Sequence, residues 1–239
     1  MDNKSILKMI KGGLIVSCQA RIGWPMYGQD IMSALSKAAE MGGAVGIRAT
    51  GPDNIEAIRK VTTLPILGIH KQWFDESEVY ITPTYESANS IIEAGACIVA
   101  LDGTQRIRPG GETLGRIIEN IHREHPDILV MADCATFEEG RIAEELGADI
   151  VSTTLCGYTE ETKYVDEIDY DLIRKLSAAC KIPIIAEGHI HTKFHARKAM
   201  ESGAFAVVVG TAITRPEIIT KWFVDELKSW WLKNENFGK

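Results

Sequence analysis

Gly-Ala pairs recur along the chain at a nearly constant spacing, and this regularity constrains the fold more than any other feature. The pairs begin at Gly43, Gly95, Gly147 and Gly203, which gives intervals of 52, 52 and 56 residues. Each pair ends a helical pattern and precedes a β-rich run, and a glycine at this place supplies the left-handed C-cap that stops a helix. Each interval holds two βα units, so the chain consists of four similar quarters.

Eight short β-rich runs alternate with these helical patterns, at 14–17, 44–48, 65–70, 97–101, 128–132, 149–153, 182–186 and 205–209. Most are apolar throughout, which is typical of parallel strands covered on both faces. No GxGxxG follows the first run, which disfavours an open doubly wound sheet. We therefore predict a single α/β domain over residues 1–239, a (β/α)8 TIM barrel.

Two segments lie outside the repeat. The apolar residues within 6–10 predict a short N-terminal helix that caps one mouth of the barrel. Residues 216–232 predict the last helix, with Pro216 in its first turn. This helix carries Trp222, Phe223, Leu227, Trp230 and Trp231. Packing within the monomer is the favoured interpretation of these side chains, and a homodimer formed through this aromatic helix is the alternative.

Composition and charge exclude several classes of protein. The chain has 239 residues and a net charge of −7, from 26 Lys and Arg against 33 Asp and Glu. A basic footprint for nucleic acid is lacking, so neither nucleic acid nor an acidic membrane is expected as the main partner. No run approaches the roughly 20 apolar residues of a membrane span, and no signal peptide is evident. The five cysteines form no CxxC pair, and we expect a cytoplasmic protein.

Polar side chains stand where most of the predicted strands end. In a (β/α)8 barrel the active site lies at the C-terminal ends of the strands. A scaffold would favour apolar or small residues there, so we expect these side chains to surround a binding site rather than to form a merely solvated rim. They are Ser17, Gln19, Arg48, Lys71, Asp102, Asp133, Thr153, Thr154 and Glu187.

The loops after the seventh and eighth runs predict a phosphate site. In (β/α)8 barrels the phosphate-binding site is frequently formed by these two loops. Gly188 and Gly210 let the backbone approach an anion closely, and Thr211 follows at the start of a turn. Arg215 adds a charged contact. The alternative is a plain strand-end turn at Gly210 and a surface charge at Arg215.

Lys71 and Glu187 are the candidates for proton transfer. Lys71 follows an apolar run, and burial of this kind lowers the pKa of a lysine, which can then serve as a base or form a Schiff base. Glu187 leaves the seventh run on the opposite side of the barrel, and a lysine and a carboxylate that converge on one carbon form a proton-transfer pair. An ordinary salt bridge is the alternative. Asp133 is expected to orient a substrate hydroxyl or amide.

Three histidines in one region raise the question of a metal. His189 and His191 form a His-x-His pair, and His195 follows on a predicted helix. No matching carboxylate pattern surrounds them, so histidines near a phosphate or on the surface are the favoured interpretation. We expect neither a metal nor another cofactor.

Several motifs together resemble those of the N-acetylmannosamine-6-phosphate 2-epimerase family. They are GLIVSCQA at 13–20, GGAVGIRA at 42–49, MADCAT at 131–136, AEG at 186–188 and AITRP at 212–216. The likeness runs from about residue 12 to residue 228. It implies a barrel enzyme that interconverts N-acetylmannosamine 6-phosphate and N-acetylglucosamine 6-phosphate, a step in the use of sialic acid and N-acetylmannosamine. It also implies proton removal and return at C2, without a metal or nicotinamide.

The resemblance also implies roles for individual residues. Lys71 matches the catalytic lysine and Glu187 its partner carboxylate. Asp133 and Arg48 match polar groups around the reacting end, and Gln19 matches a substrate-contacting amide. The phosphate end corresponds to Gly188, Gly210 and Arg215, with Thr211 beside them, and Thr153 and Tyr158 are expected to contact substrate. His70 and Cys156 depart from the family pattern.

Two other functions remain open at this stage. One is another phosphate-binding barrel enzyme, a lyase or decarboxylase that uses Lys71 as a Schiff base, for which borohydride would trap the sugar on the lysine. The other is a non-catalytic sugar-phosphate sensor, which would bind without turnover. Solvent deuterium that enters at C2 without such trapping would favour epimerisation.

Overall fold

The computed structural model describes residues 2–234, in which eight parallel strands form a closed barrel in chain order. Strand β1 pairs with both β2 and β8, which closes the sheet and confirms the predicted (β/α)8 architecture. The strands are β1 (Leu14–Cys18), β2 (Gly46–Thr50), β3 (Ile66–Ile69), β4 (Ile98–Asp102), β5 (Leu129–Asp133), β6 (Ile150–Ser152), β7 (Ile184–Ala186) and β8 (Ala206–Val209).

Most of the helices surround this barrel and cover its outer face. A 3-10 turn at Pro109–Gly111 precedes the fifth of them. Within residues 2–234 no helix combines the length and the apolar composition that crossing a membrane requires. The helices are α1 (Asn3–Ile10), α2 (Gln29–Met41), α3 (Pro52–Arg59), α4 (Tyr85–Glu93), α5 (Leu114–Glu124), α6 (Phe137–Glu145), α7 (Tyr170–Ala179), α8 (Lys193–Glu201), α9 (Thr211–Thr214) and α10 (Pro216–Asn234).

The repeated Gly-Ala pairs end helices, as their spacing predicts. The glycines have φ angles of 90°, 107°, 95° and 103°, in the left-handed region that favours glycine. The alanine of each pair stands two residues before its strand rather than starting it. Its N–H completes the helix end instead, as in the 3.0 Å bond from Ala44 N to the carbonyl of Ala39. This six-to-one bond is the Schellman motif, which explains why both residues repeat together.

Alternate residues of the strands fill the barrel interior. Ile15, Leu67 and Met131 belong to one inward cluster, and Ile6 and Ile10 of α1 pack into the same cluster with none of their surface exposed. Helix α1 therefore caps the N-terminal mouth of the barrel, as predicted. Because side chains alternate along a strand, the inward series reaches the opposite mouth at the last residues of each strand.

Helix α10 is exposed along its length. It contains no buried residue, and the exposed fraction of its large apolar side chains is 67% at Phe223, 68% at Leu227 and 70% at Leu232. Trp222 is its most covered aromatic residue, with its ring 5.0 Å from the His191 ring. The favoured interpretation that these side chains pack within the monomer is therefore wrong. The helix leaves the barrel after α9 instead of lying along it.

Candidate active site

A cavity of about 270 Å³ opens at the C-terminal ends of the strands. Nine of the eleven predicted site residues line it, while Asp133 and Thr153 do not. The loops after β1, β3, β6, β7 and β8 contribute to its wall, and strand β2 contributes Arg48. The lining includes Ser17, Gln19, Arg21, Trp24, Arg48, Lys71, Tyr80, Thr154, Tyr158, Glu187, Gly188, His189, Gly210, Thr211 and Arg215.

Arg48 is the centre of the charged cluster in this cavity. It points inward from β2 and only 1% of its surface is exposed. Its Nη2 and Nη1 donate to the two carboxylate oxygens of Asp133 at 2.5 and 3.1 Å, and Nη1 also donates to Glu187 Oε2 at 2.7 Å. Burial alone would lower the pKa of Arg48, but the two carboxylates outweigh it and hold its pKa above the usual value. One permanent cation thus holds two carboxylates.

Asp133 lies behind Arg48 rather than in the cavity wall. It ends β5, it has no exposed surface, and one of its oxygens accepts a hydrogen bond from Thr154 Oγ1 at 2.7 Å. The contacts of this carboxylate within the chain are with Arg48 and Thr154, and its contact with a substrate group stays a prediction. In this structure Asp133 orients the guanidinium that faces the cavity.

Thr154 occupies the place expected for Thr153. The Thr154 hydroxyl lies 3.1 Å from Glu187 Oε2 and lines the cavity. The Thr153 hydroxyl instead donates to the carbonyl of Glu187 at 2.9 Å and accepts from its N–H at 3.2 Å. The alternation along β6 explains the difference, because Ile150 faces the barrel interior and residues an even number away share that face. Extending this alternation from Ile150 to Ser152 and Thr154 would have identified Thr154, from the sequence alone, as the residue that faces the cavity.

Lys71 stands at the start of a two-stranded segment that follows β3. It forms an antiparallel bridge with Ile81, and its side chain lines the cavity. The pKa of Lys71 is lowered to about 8, first by burial and further by the charges of Arg48 and Arg21, while the charges of Glu187 and Asp133 oppose this shift. A lysine with this pKa has a neutral amine in part of the molecules at neutral pH, as a general base requires.

Glu187 is paired with Arg48 and not with Lys71. Within residues 2–234, no carboxylate oxygen lies within 4 Å of Lys71 Nζ. Burial raises the pKa of Glu187, Arg48 opposes this effect, and the nearby charge of Asp133 adds to it. The predicted lysine–carboxylate pair therefore lies in one cavity, but its two members make no direct contact in this structure.

Gln19 lines the cavity and carries a buried acceptor without a partner within residues 2–234. Its Nε2 donates to Ser17 Oγ at 2.8 Å, whereas its buried Oε1 has no hydrogen-bond partner among the described residues. A buried acceptor without a partner is costly unless a ligand supplies a donor. The Gln19 side chain lines the cavity, and its contact with a substrate hydroxyl or amide stays a prediction.

The residues predicted to bind phosphate gather on one side of the cavity. Gly188 has a φ of 103°, which only glycine adopts readily, and Gly210 directly precedes Thr211 at the start of α9. Arg215 follows α9; its guanidinium lies 3.8 Å from the centroid of the Trp24 ring and its Nε lies 2.8 Å from a carboxylate oxygen of Glu217. The turns at Gly188 and Gly210 and the cation Arg215 thus line the same cavity.

Sequence reasoning missed several aromatic and cationic residues of the wall. Arg21 and Trp24 lie in the β1–α2 loop, and Tyr80 lies in the segment after β3. His189 stacks on the predicted Tyr158, with ring centroids 4.9 Å apart and planes 7° from parallel. Arg21, Trp24 and Tyr80 were missed because none of them occupies a strand end, whereas His189 is one of the histidines expected near a phosphate or on the surface. The aromatic residues of the β1–α2 loop are the available sequence signal, since loops carry much of the binding surface of a barrel.

The histidines considered as metal ligands have other contacts. His189 Nε2 lies 3.2 Å from the carbonyl of Cys156, and the rings of His191 and His195 are 6.5 Å apart. Among residues 2–234, no group of three or more His, Cys, Asp or Glu side chains is arranged to hold a metal ion.

Comparison with known proteins gives the family. The NanE family model, described as "Putative N-acetylmannosamine-6-phosphate epimerase", matches residues 32–229. A protein of Caldanaerobacter subterraneus subsp. tengcongensis, named "Putative N-acetylmannosamine-6-phosphate 2-epimerase", is 51% identical over 223 residues, which cover 93% of this chain and 94% of that protein. A protein of Listeria welshimeri with the same name is 46% identical over 228 residues, covering 95% and 97%.

Solved structures agree with this assignment. The N-acetylmannosamine-6-phosphate 2-epimerase from Clostridium perfringens is similar at a TM-score of 0.89 and 45% identity, covering 92% of this chain and 95% of that one. A thiamine phosphate pyrophosphorylase from Pyrococcus furiosus shares the fold alone, at a TM-score of 0.60 and 19% identity over 87% and 89% of the two chains. The chain therefore belongs to the N-acetylmannosamine-6-phosphate 2-epimerase (NanE) family.

Proposed function

We propose that this protein is an isomerase that interconverts N-acetylmannosamine 6-phosphate and N-acetylglucosamine 6-phosphate. The observation that carries the proposal is the placement of Lys71, with its lowered pKa, in one cavity with the Arg48–Asp133–Glu187 cluster. Membership of the family over most of the chain supports the same substrate pair.

The two sugars differ in configuration at C2, beside the aldehyde of the open-chain form. A C–H bond next to a carbonyl is acidic enough for a side-chain base once the resulting enolate is stabilised. The neutral amine of Lys71 takes the C2 proton and becomes an ammonium, and the bond electrons move into the enolate. A solvent water then gives a proton to the other face of C2, which restores the aldehyde and gives the epimer. The hydroxide left behind takes the proton of the Lys71 ammonium, which regenerates the neutral amine.

The surrounding groups have distinct tasks in this mechanism. Arg48 supplies the positive charge that favours an enolate oxygen, and Asp133 and Glu187 hold its guanidinium in place. Glu187 also affects the charge state of Lys71, since its negative charge favours the ammonium. Gln19 contacts a hydroxyl or the acetamido group of the sugar, and Arg215 with the Gly188 and Gly210 turns receives the phosphate.

Proton NMR of N-acetylmannosamine 6-phosphate with the protein in heavy water tests this function directly. We expect the gluco epimer to form with solvent deuterium at C2, and the Lys71→Ala variant to lose this exchange by a factor of about 10²–10⁴. Normal turnover by Lys71→Ala would overturn the role of the lysine. Trapping of the sugar on Lys71 by borohydride would favour a Schiff-base lyase, and binding without exchange would favour a sensor.

The cellular role follows from the chemistry of this substrate pair. We propose that the reaction serves the catabolism of sialic acid and N-acetylmannosamine in the cytoplasm, since sugar phosphates do not cross membranes freely. Growth on N-acetylmannosamine of an epimerase-deficient bacterial strain that carries this gene, compared with the strain without it, tests this role. Growth that does not require the gene would contradict it.

We further propose that α10 forms a homodimer contact. Its aromatic side chains are exposed, with 59% of Trp230 and 64% of Trp231 accessible. A mostly apolar groove remains open on the barrel beside α8, lined by residues that include Leu14, Met200 and Ile213. An exposed apolar helix and an open apolar groove on one chain suit each other in a pair of copies.

A further inference from the structure

Arg21 stands at the mouth of the cavity without a carboxylate partner. Its side chain lines the cavity and is exposed to solvent. Within residues 2–234, no Asp or Glu oxygen comes within 4 Å of its guanidinium. Arg48, by contrast, is paired at close range with Asp133 and Glu187. Arg21 is therefore a cation whose field acts on its surroundings without a counter-charge at close range.

Two tryptophans hold this guanidinium from different loops. The Arg21 Cζ lies 5.6 Å from the centroid of the Trp24 ring and 5.2 Å from that of the Trp73 ring. A guanidinium at this distance from an indole face is attracted by the ring quadrupole. Trp24 shares the β1–α2 loop with Arg21, whereas Trp73 follows β3. We call these three residues the Arg21 clamp, and it links the two loops.

The clamp is anchored to groups of the site on both sides. Arg215 lies 3.8 Å from the Trp24 ring centroid, and Trp73 stacks on Tyr80 with centroids 6.0 Å apart and planes 3° from parallel. Cationic and aromatic side chains thus form a series that joins the loops after β8, β1 and β3. Because Trp24 and Trp73 are themselves held by Arg215 and Tyr80, they restrict the rotamers of Arg21, which is otherwise a flexible side chain.

Lys71 shares the backbone segment that carries Trp73. This segment, residues 70–82, is held by bonds from Gln72 N to the carbonyl of Tyr80 at 3.0 Å and from Thr82 N to the carbonyl of His70 at 2.9 Å. The tryptophan that holds Arg21 therefore has a fixed relation to the lysine. Arg21 and Lys71 also line the same surface depression beside the cavity.

The charges around Lys71 show why a further cation matters. Arg48 with Asp133 and Glu187 carries a net charge of −1 when all three are ionised, which favours the ammonium of Lys71. Arg21 from the β1–α2 loop opposes this effect, while Tyr80 and His70 in the Lys71 segment are neutral at neutral pH when unperturbed. Burial lowers the pKa of Lys71 first, and Arg48 and Arg21 are the cations that lower it further.

We propose that Arg21 is a positioning residue for the proton transfer, held by Trp24 and Trp73 so that its charge favours the neutral, proton-accepting form of Lys71. The proposal rests on the proposed role of Lys71 as the base. It goes beyond that role, because it assigns a task to a residue that has no contact with the Arg48 cluster.

The pH dependence of kcat/KM for deuterium entry at C2 tests this assignment, since kcat/KM reports the free enzyme. In Arg21→Gln we expect the midpoint of the acidic limb to rise by about 0.5 pH units, which lowers the rate at pH 7 about threefold and leaves the rate at pH 10 nearly unchanged. Arg21→Lys keeps the charge and moves the midpoint less. Trp73→Leu removes one of the two rings that hold Arg21, and we expect it to raise the midpoint of the acidic limb, as Arg21→Gln does.

Two controls separate charge from packing. Arg174→Gln removes an equal charge from the exposed face of α7, away from the cavity. We expect this variant to leave the midpoint of the acidic limb of kcat/KM unchanged. High salt moves the wild-type midpoint towards that of Arg21→Gln, because the exposed charge of Arg21 is screened. A merely structural role for Arg21 would not respond to salt in this way.

Other outcomes overturn the proposal. If Arg21→Gln raises KM at every pH without moving the limb, Arg21 contacts the substrate phosphate instead. If neither the midpoint of the acidic limb nor KM changes in Arg21→Gln, Arg21 has no role in the reaction. Absence of C2 exchange in the wild-type protein would refute the proposed function itself, whereas exchange with an unmoved limb would refute the role of Arg21 alone.

Discussion

Arg48 Nη1 lies 2.7 Å from Glu187 Oε2, and the same guanidinium binds both carboxylate oxygens of Asp133. This relationship divides the tasks of the site. Glu187 is occupied by Arg48 and Thr154, so Lys71 is the ionisable side chain of the cavity wall that combines a lowered pKa with a free amine. The proton transfer is accordingly assigned to Lys71 and the electrostatic support to Arg48.

The acidic limb of activity is expected to follow the neutral amine of Lys71. The pKa of this residue is lowered to about 8, so activity rises with pH through a midpoint near that value as the base form appears. A pH series of kcat/KM for C2 exchange measures the midpoint. A limb near the usual lysine pKa of about 10.4, or no limb at all, would contradict this interpretation.

Glu187→Gln separates an electrostatic role from a direct one. Loss of the negative charge removes an effect that raises the pKa of Lys71, so the acidic limb moves to lower pH. We expect the plateau rate to fall by less than about tenfold, because a direct acid or base role would account for about 10²–10⁴. The same NMR assay measures both quantities, and a plateau loss in the larger range with an unmoved limb would make Glu187 a proton-transfer group.

Asp133→Asn is expected to destabilise the fold as well as the site. The substitution leaves the buried Arg48 with Glu187 as its remaining carboxylate, and breaking a buried ion pair typically costs about 3–5 kcal/mol. Urea unfolding followed by circular dichroism measures the change in the free energy of unfolding. Asp171→Asn, which breaks an exposed pair with Arg174, serves as the control and should change it by less than about 1 kcal/mol.

Trp230→Glu is expected to dissociate the proposed homodimer. A charge in place of an aromatic side chain at an apolar interface costs about 2 kcal/mol or more, which weakens association at least about 30-fold. Sedimentation velocity measures the dissociation, with Lys228→Glu on the same helix as the control. A wild-type protein that sediments as a monomer at micromolar concentration would show that α10 is not a dimer contact.

Much of this architecture was predictable because it depends on local chemistry that repeats. The Gly-Ala pairs encode helix ends, and the apolar runs encode strands covered on both faces, so the barrel and the C-terminal mouth follow from the sequence. Lys71 and Glu187 were found because they stand just beyond strand ends, and Arg48 because it ends the predicted run 44–48, although β2 continues to Thr50. Thr153 was chosen over Thr154 because the alternation along β6 was not counted through to the loop.

The remaining features depend on distances between parts of the chain that sequence spacing does not measure. The sequence by itself determined which side chains arrive at the mouth of the barrel, since strand order and alternation place them there. Only the tertiary structure decided that Glu187 pairs with Arg48 rather than with Lys71, because that choice depends on angstrom-scale distances between β2, β3 and β7. It likewise decided that Trp24 and Trp73 hold Arg21, since these residues come from loops whose paths are set by packing and not by local propensity.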